Sequence, residues 1–295
     1  MTDQIEIIGN IKNTLGEGPH WSPDHNALFW VDIVQGKLFR FCPWSKEIKC
    51  WEIGTKTAVV VATSDQRLLL ACQNFLLLFD PKTGERECLL DFETKMPDNR
   101  PNDGKVDPAG RFWFGTTDDL EKNISGTVYR LDHKGNFTAI LHDIGNPNTF
   151  VWSPDKSKFY TADSVRQIMW VFDYDNESGD ISNRREFFSL AGTDIIPDGS
   201  TVDEHGFLWN AQWNGWRIVR YAPDGSIDRI IRMPVACPSS CCFGGGDMNV
   251  LYVTSARKDQ TEQQLQQQAQ AGALFAIDVG VKGLAPVTFP IAASI

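Results

Sequence analysis

"WSPDHNALFWVDIVQGKLFRF" (Trp21–Phe41) opens on a Ser-Pro-Asp turn, runs through an apolar aromatic stretch, turns again and closes on a second strand-like run. The unit returns as "TSDQRLLLACQNFLLLFDPKTG" (Thr63–Gly84), "VDPAGRFWFGTTDD" with "SGTVYRLDHKG" (Val106–Gly135) and "WSPDKSKFYTADSVRQIMWVFDYD" (Trp152–Asp175). It returns twice more as "VDEHGFLWNAQWNGWRIVRYAPDG" (Val202–Gly225) and "FGGGDMNVLYVTSARKD" with "GALFAIDVG" (Phe243–Gly280). The starts are spaced by roughly 40–50 residues, the period of a four-stranded propeller blade. Six such units use the chain, so the expected fold is all-β: one six-bladed β-propeller of four-stranded antiparallel blades over residues 1–295, with no linker. "QIEIIGNI" (Gln4–Ile11) precedes the first full repeat and is expected to pair into the last blade, closing the ring and covering its edges. Helical periodicity is confined to the polar "TEQQLQQQAQ" (Thr261–Gln270), read as a solvated insertion.

The composition, 42% hydrophobic and 11% aromatic over 295 residues, is that of a chain that buries a large core. A formal net charge of −10 without clustered cations argues against nucleic acid and anionic membrane as partners and leaves neutral small molecules or cations. No obligate protein partner is indicated. The 7 cysteines show neither a CxxC pair nor a zinc-type Cys/His spacing, which reads as free thiols in a reducing compartment. No apolar run approaches the roughly 18 residues of a membrane span, and "MTDQIEIIGN" lacks the pattern of a signal peptide. The expectation is a soluble, cytoplasmic protein.

In a propeller the first strand of each blade lines the central channel, so one repeat position from several blades converges on the axis. Glu17, Asn102, Asn148 and Asp198 each stand four residues before a common strand position, at Trp21, Val106, Trp152 and Val202. The same register puts Val59 and Ser239 in the other two blades. Gly16, Gly18, Pro101, Pro147, Pro197 and Gly199 flank these positions and fix tight turns. Two carboxylates at one level repel, and a cation between them resolves the repulsion. Two carboxylates with amide oxygens suit a divalent ion: Ca, Mg, Mn, Zn or Fe(II). With three or four protein ligands, positions stay open for water or substrate, the arrangement of a catalytic site. The same polar ring also fits a second reading, in which these side chains cap backbone groups at the ring mouth.

"LGEGPHW", "NRPNDGKVDPAGRFWFGT", "NTFVWSPD", "IPDGSTVDEHGFLW", "SCCFGG" and "YVTSAR", in this order along nearly the whole chain, resemble the regucalcin (senescence marker protein), gluconolactonase and luciferin-regenerating enzyme family. "ISNRR" and "GVKGLAP" look like its regucalcin branch. The resemblance implies a metal-dependent hydrolase that opens sugar lactones to aldonic acids. It implies one divalent metal on Glu17, Asn148 and Asp198, Asp198 as proton donor or acceptor, and Arg100 and Asn102 on the substrate's hydroxyls. An acidic substrate contact follows the "GT" after "RPND"; Asp118, Asp119 and Glu121 compete for it, and Asp119 is taken. The chain departs from the family pattern at Thr149, where the motif has Gly after the ligand Asn. "GNPN" offers Asn146 beside Asn148, and the constant spacing to Trp152 favours Asn148.

No GxSxG elbow and no Cys in a His-bearing setting competes for a nucleophile's role. His25, His133, His142 and His205 read as surface residues, and His20, after "GEGP", as a channel-lining residue rather than a ligand. Trp213, Asn214 and Trp216 of "QWNGWR" are candidates for the mouth, with blade-core packing the competing reading for Trp216. Two further functions stay open: a non-catalytic calcium-binding regulatory propeller, and a propeller esterase or phosphotriesterase of the paraoxonase-like kind.

Overall fold

Strand follows strand through short turns, so each set of four pairs with its sequence neighbours. The resulting architecture, a computed structural model that describes residues 4–291, holds six four-stranded antiparallel sheets, the blades of a six-bladed propeller. The inner strands are Gly16–Ser22, Thr57–Ala62, Asn99–Val106, Pro147–Trp152, Ile196–Val202 and Pro238–Gly244. Each packs against the next around a circle, the last meeting the first. Inner strands are buried on both faces, whereas the outermost strands, such as Glu47–Glu52, face solvent. The sixth blade takes its outermost strand from the other end of the chain: Ile5–Ile8 runs antiparallel to Leu274–Asp278, with Ile5 opposite Ile277. Ring closure by the N-terminal strand is therefore as the sequence suggested.

The core lies between blades and is strongly aromatic. Trp113 sits fully buried on the second strand of its blade, its ring edge-on to Trp152 at 5.8 Å and 5.2 Å from Phe159, both from the next blade. Its indole N–H donates to Asp107 Oδ2 at 2.9 Å, and Trp209 does the same to Asp203 Oδ2 at 3.0 Å. The acidic residue of "VDPAGRFW" and "VDEHGFLW" is thus more than turn chemistry. Asp203 accepts from the turn N–H groups of His205 and Phe207 and from Arg220 Nε at 2.9 Å.

Every inner strand loses register with its neighbour at the same level. The breaks fall at Glu17/His20, Thr57/Val59, Pro101/Gly104, Asn148/Val151, Pro197/Ser200 and Pro238/Ser240. A β-bulge bends the strand and re-aims a side chain, which is how a narrow ring turns polar residues towards its axis. The bulges also demand small residues: a Cβ on Gly199 would lie 2.1 Å from Ser240 Oγ of the next blade.

The polar helix spans Glu262–Gln267, opened by a capping box between Thr261 and Gln264. It is anchored at its end by Gln268, which accepts from the Ala236 N–H at 2.6 Å. After the last strand, residues 280–291 cross the lower face of the ring. Phe289 is hydrogen-bonded to Ala62 and Ser64 and buried beside Phe112, at 6.5 Å. Leu284 and Val287 of this strap, with His20, Trp21, Lys105 and Cys242, line a cavity of about 110 Å³. All seven cysteines are free, and no helix of the described residues is long and apolar enough to cross a membrane.

Candidate active site

Four of the six bulges open into one cavity of about 290 Å³ at the upper end of the channel. Glu17, Asn102, Asn148 and Asp198 line it together with Arg100, so five of the six expected site residues meet there. Trp213, Lys258 and Asp259 also line it. Val59 and Ser239, at the same register, do not; Val59 is core, and Ser239 donates to the Gly16 carbonyl at 2.5 Å. Trp216 is half-exposed outside the cavity, so of the mouth candidates Trp213 alone lines it.

A directional chain of hydrogen bonds fixes the amides. Arg100 can only donate, and its Nη1 gives to Asn102 Oδ1 at 2.8 Å. Asn102 therefore turns its amide N–H towards Asn148 Oδ1 at 3.1 Å, and Asn148 turns its own towards Ser164 Oγ at 2.8 Å. Ser164 passes the sequence on to the Pro197 carbonyl at 2.7 Å, one residue before Asp198. Asn148, which lines the cavity, therefore keeps Oδ1 as an acceptor with a lone pair to spare.

Asp119 does not line the cavity. Its Oδ1 accepts from Arg100 Nε at 2.8 Å and its Oδ2 from Lys56, a residue of another blade. Partial burial pushes its carboxyl up, and the Lys56 and Arg100 charges more than offset this and bring it below the ordinary range. It holds Arg100 in place. Glu121, two residues on, lines the cavity and accepts from Asn146 Nδ2 at 3.0 Å; Asp118 accepts the N–H groups of Leu120, Lys122 and Asn123 and closes the loop.

Glu17 and Asp198 are each buried with one oxygen held by the following glycine N–H at 3.1 Å. Glu17 Oε1 and Asp198 Oδ2 take no hydrogen bond from the described residues. Burial, then the Asp103 charge, pushes the Glu17 carboxyl up to about 8. Burial, then the charges of Glu17, Asp103 and Glu121, holds Asp198 well above its ordinary value. Among the described residues no group of three or more His, Cys, Asp or Glu gathers for a metal. The donor set here is instead two mutually repelling carboxylates, each with an unengaged oxygen, and the Asn148 amide oxygen. That chemistry fits a hard or borderline divalent ion.

His20 is buried below this level, its Nε2 accepting from the Ala62 N–H at 3.1 Å. Burial and nearby Lys105 bring its pKa down to about 3, so it is a neutral structural imidazole, as expected of a channel-lining residue.

Residues 15–257 match the family described as the SMP-30/gluconolactonase/LRE-like region. The chain belongs to this family. A regucalcin from Gallus gallus is 32% identical over 294 residues, covering 97% of this chain and 98% of the relative. An L-arabinolactonase from Azospirillum brasilense is 35% identical, covering 97% and 95%. The crystal structure of a calcium-binding protein, regucalcin, from Agrobacterium tumefaciens superposes with a TM-score of 0.94 at 27% identity, covering 98% of each chain. Within this SMP-30/gluconolactonase/LRE-like frame, "LGEGPHW", "NRPNDGKV", "NTFVW" and "IPDGSTV" all fall on inner strands at the bulges.

Three residues of the site carried no signal of their own. Ser164 matters because of the Pro197 carbonyl in the next blade. Asp103, buried on the bulge beside Asn102, accepts from the Thr149 N–H at 2.8 Å. Lys56 meets Asp119 only through blade packing. In the sequence each looks like an ordinary strand or loop residue.

Proposed function

We propose that the protein is a metal-dependent hydrolase that opens the ester of sugar lactones to aldonic acids, with one divalent ion held by Glu17, Asn148 and Asp198. One observation carries the reading: two buried carboxylates and an oriented amide oxygen converge on a cavity that also presents Arg100 and Asn102. A relative described as an L-arabinolactonase, 35% identical over nearly the full length, supports the substrate class. A cavity of about 290 Å³ lies at the small end of the ligand-pocket range and suits a single sugar ring.

When bound, the ion supplies positive charge that polarises an ester carbonyl and lowers the pKa of a water. The chain's own residues do the rest. Arg100, braced by Asp119, has Nη2 unengaged among the described residues and can donate to the ring oxygen and hydroxyls, while Asn102, whose Nδ2 gives to the Pro147 carbonyl and Asn148 Oδ1, can accept from a hydroxyl at Oδ1. Trp213 gives an apolar wall for sugar C–H faces. Asp198 would hold the ion through Oδ2, and its Oδ1, which accepts only the Gly199 N–H, keeps a lone pair to take the proton as a water oxygen bonds to the ester carbon. It returns that proton to the ring oxygen as the C–O bond breaks, a role worth about 10²–10⁴-fold. The reducing cytoplasm suits the seven free thiols, and the net charge of −10 suits work on small molecules without nucleic acid, membrane or an obligate protein partner.

A second reading, a calcium-binding regulatory propeller, is favoured by the Agrobacterium relative described as calcium-binding. A pH-indicator assay on a panel of aldonolactones separates the two, run on chelator-stripped protein and again after adding individual divalent ions. The hydrolase gives no turnover when stripped and recovers with at least one ion. Calcium binding without opening of any lactone under any ion leaves the regulatory reading alone.

A further inference from the structure

We infer that Thr149 is a positioning residue that sets the spacing between Asn148 and Asp198, the two ligand-bearing bulges of adjacent blades. The inference rests on the ion-binding reading above and goes beyond it, because Thr149 is buried and does not line the cavity.

Thr149 has φ +62°, the left-handed region, where a β-branched side chain is an outlier. Among the described non-glycine residues with positive φ it is the only β-branched one and the only buried one. Strain of this kind persists where the surroundings over-determine it, and it clusters at functional sites. Here the surroundings are specific. The Thr149 N–H donates to Asp103 Oδ2 at 2.8 Å, a bond that glycine would make equally well at this φ. The hydroxyl is what threonine adds: it donates to the Asp198 carbonyl at 2.8 Å and meets Ser200 Oγ at 2.7 Å.

The proton directions are settled by the Asp198 carbonyl, which only accepts and so takes the single Thr149 proton; Asn210 Nδ2 gives to the same carbonyl and to Ser200 Oγ, both at 2.9 Å. Ser200 accepts from Asn210 and gives its proton to Thr149 Oγ1, which leaves the threonine proton for Asp198. Every hydroxyl in the set is satisfied with a single arrangement. The residue after Asn148 is thereby tied to the backbone of Asp198 itself, at the level of the cavity and across the blade boundary. Ser164 makes a second tie, from the Asn148 amide to the Pro197 carbonyl. Two short bridges hold the two strands at one separation before any ion arrives, and preorganisation of this kind strengthens binding by removing the cost of assembling the ligands.

The test is calorimetric titration of Ca²⁺ and Mn²⁺ into chelator-stripped wild type, Thr149→Ser, Thr149→Val and Thr149→Gly, with the melting temperature of each stripped protein. Thr149→Ser keeps the hydroxyl and is expected to bind within about twofold of wild type. Thr149→Val and Thr149→Gly lose it and are expected to bind about 10-fold more weakly, the lower end for an outer-shell partner. Should the valine variant not fold, the glycine variant, which takes φ +62° without strain, carries the test. A merely structural threonine moves the melting temperature and leaves ion affinity unchanged in Thr149→Gly, and that result overturns the inference while the site reading stands. Serine binding as weakly as glycine overturns it too. Absence of ion binding by wild type overturns the ligand assignment and this inference together.

Discussion

Glu17 and Asp198 are acids held in a place that favours their protonated forms. The Glu17 carboxyl rises from the ordinary 4.5 to about 8, chiefly through burial, and Asp198 moves in the same direction. For a carboxyl whose folded value lies above its ordinary one, the stabilisation is complete below the ordinary value and is lost as pH rises through the folded one. Stripped protein is therefore expected to melt at falling temperature as pH climbs from about 4.5 to about 8, and ion-loaded protein to resist the decline. Thermal melts at several pH values with chelator or ion check this; parallel profiles would remove the cation from the site. Asp198→Asn is expected to lower kcat by about 10³-fold, within the range for a general acid–base group. Steady-state kinetics on a folded variant with full activity would sink the assignment. Glu17, Asn102, Asn148 and Asp198 were legible in the sequence because a constant four-residue offset to the inner strand survives in all four blades. The acid after "GT" was not, because it lies in a loop without periodicity, where Asp119 turns to Arg100 and Lys56 while Glu121 reaches the cavity.

The bulge and the buried turn carboxylate are the elements that make a blade into a scaffold. Repeat periodicity revealed where strands begin, but bulges leave no hydrophobic signature, since they depend on two residues opposing one across a pair. Likewise "VDEHG" reads as a hairpin turn, whereas Asp203 is fully buried and gathers two turn N–H groups, the Trp209 indole and Arg220. Two of its partners, Trp209 and Arg220, come from the following strands, beyond the reach of local turn chemistry. Asp203→Ala leaves those donors without an acceptor and is expected to cost about 3–5 kcal/mol of folding stability. Urea unfolding reads the loss directly; a change within about 0.5 kcal/mol, the size of an ordinary surface substitution, would return the residue to simple turn chemistry.

At the scale of the molecule, the fold was legible because six copies of one pattern leave little room for another arrangement, and because a strand-like segment stood unpartnered ahead of the first. Ile5–Ile8 covers the edge of Leu274–Asp278 and joins the two ends of the chain in one blade. A variant beginning at Asn10 is expected to lose roughly 3–5 kcal/mol and about 10 °C in melting temperature, at about 2–4 °C per kcal/mol. It is also expected to associate through the bared edge, visible as concentration-dependent light scattering; an unchanged, monodisperse variant would show closure to be dispensable. The strap across the lower face has a consequence of another kind. Leu284 and Val287 line the cavity at that end, and Phe289 is locked into the core. Under the lactonase reading, lactone would enter and acid leave through the upper cavity, and product inhibition in progress curves is the expected outcome.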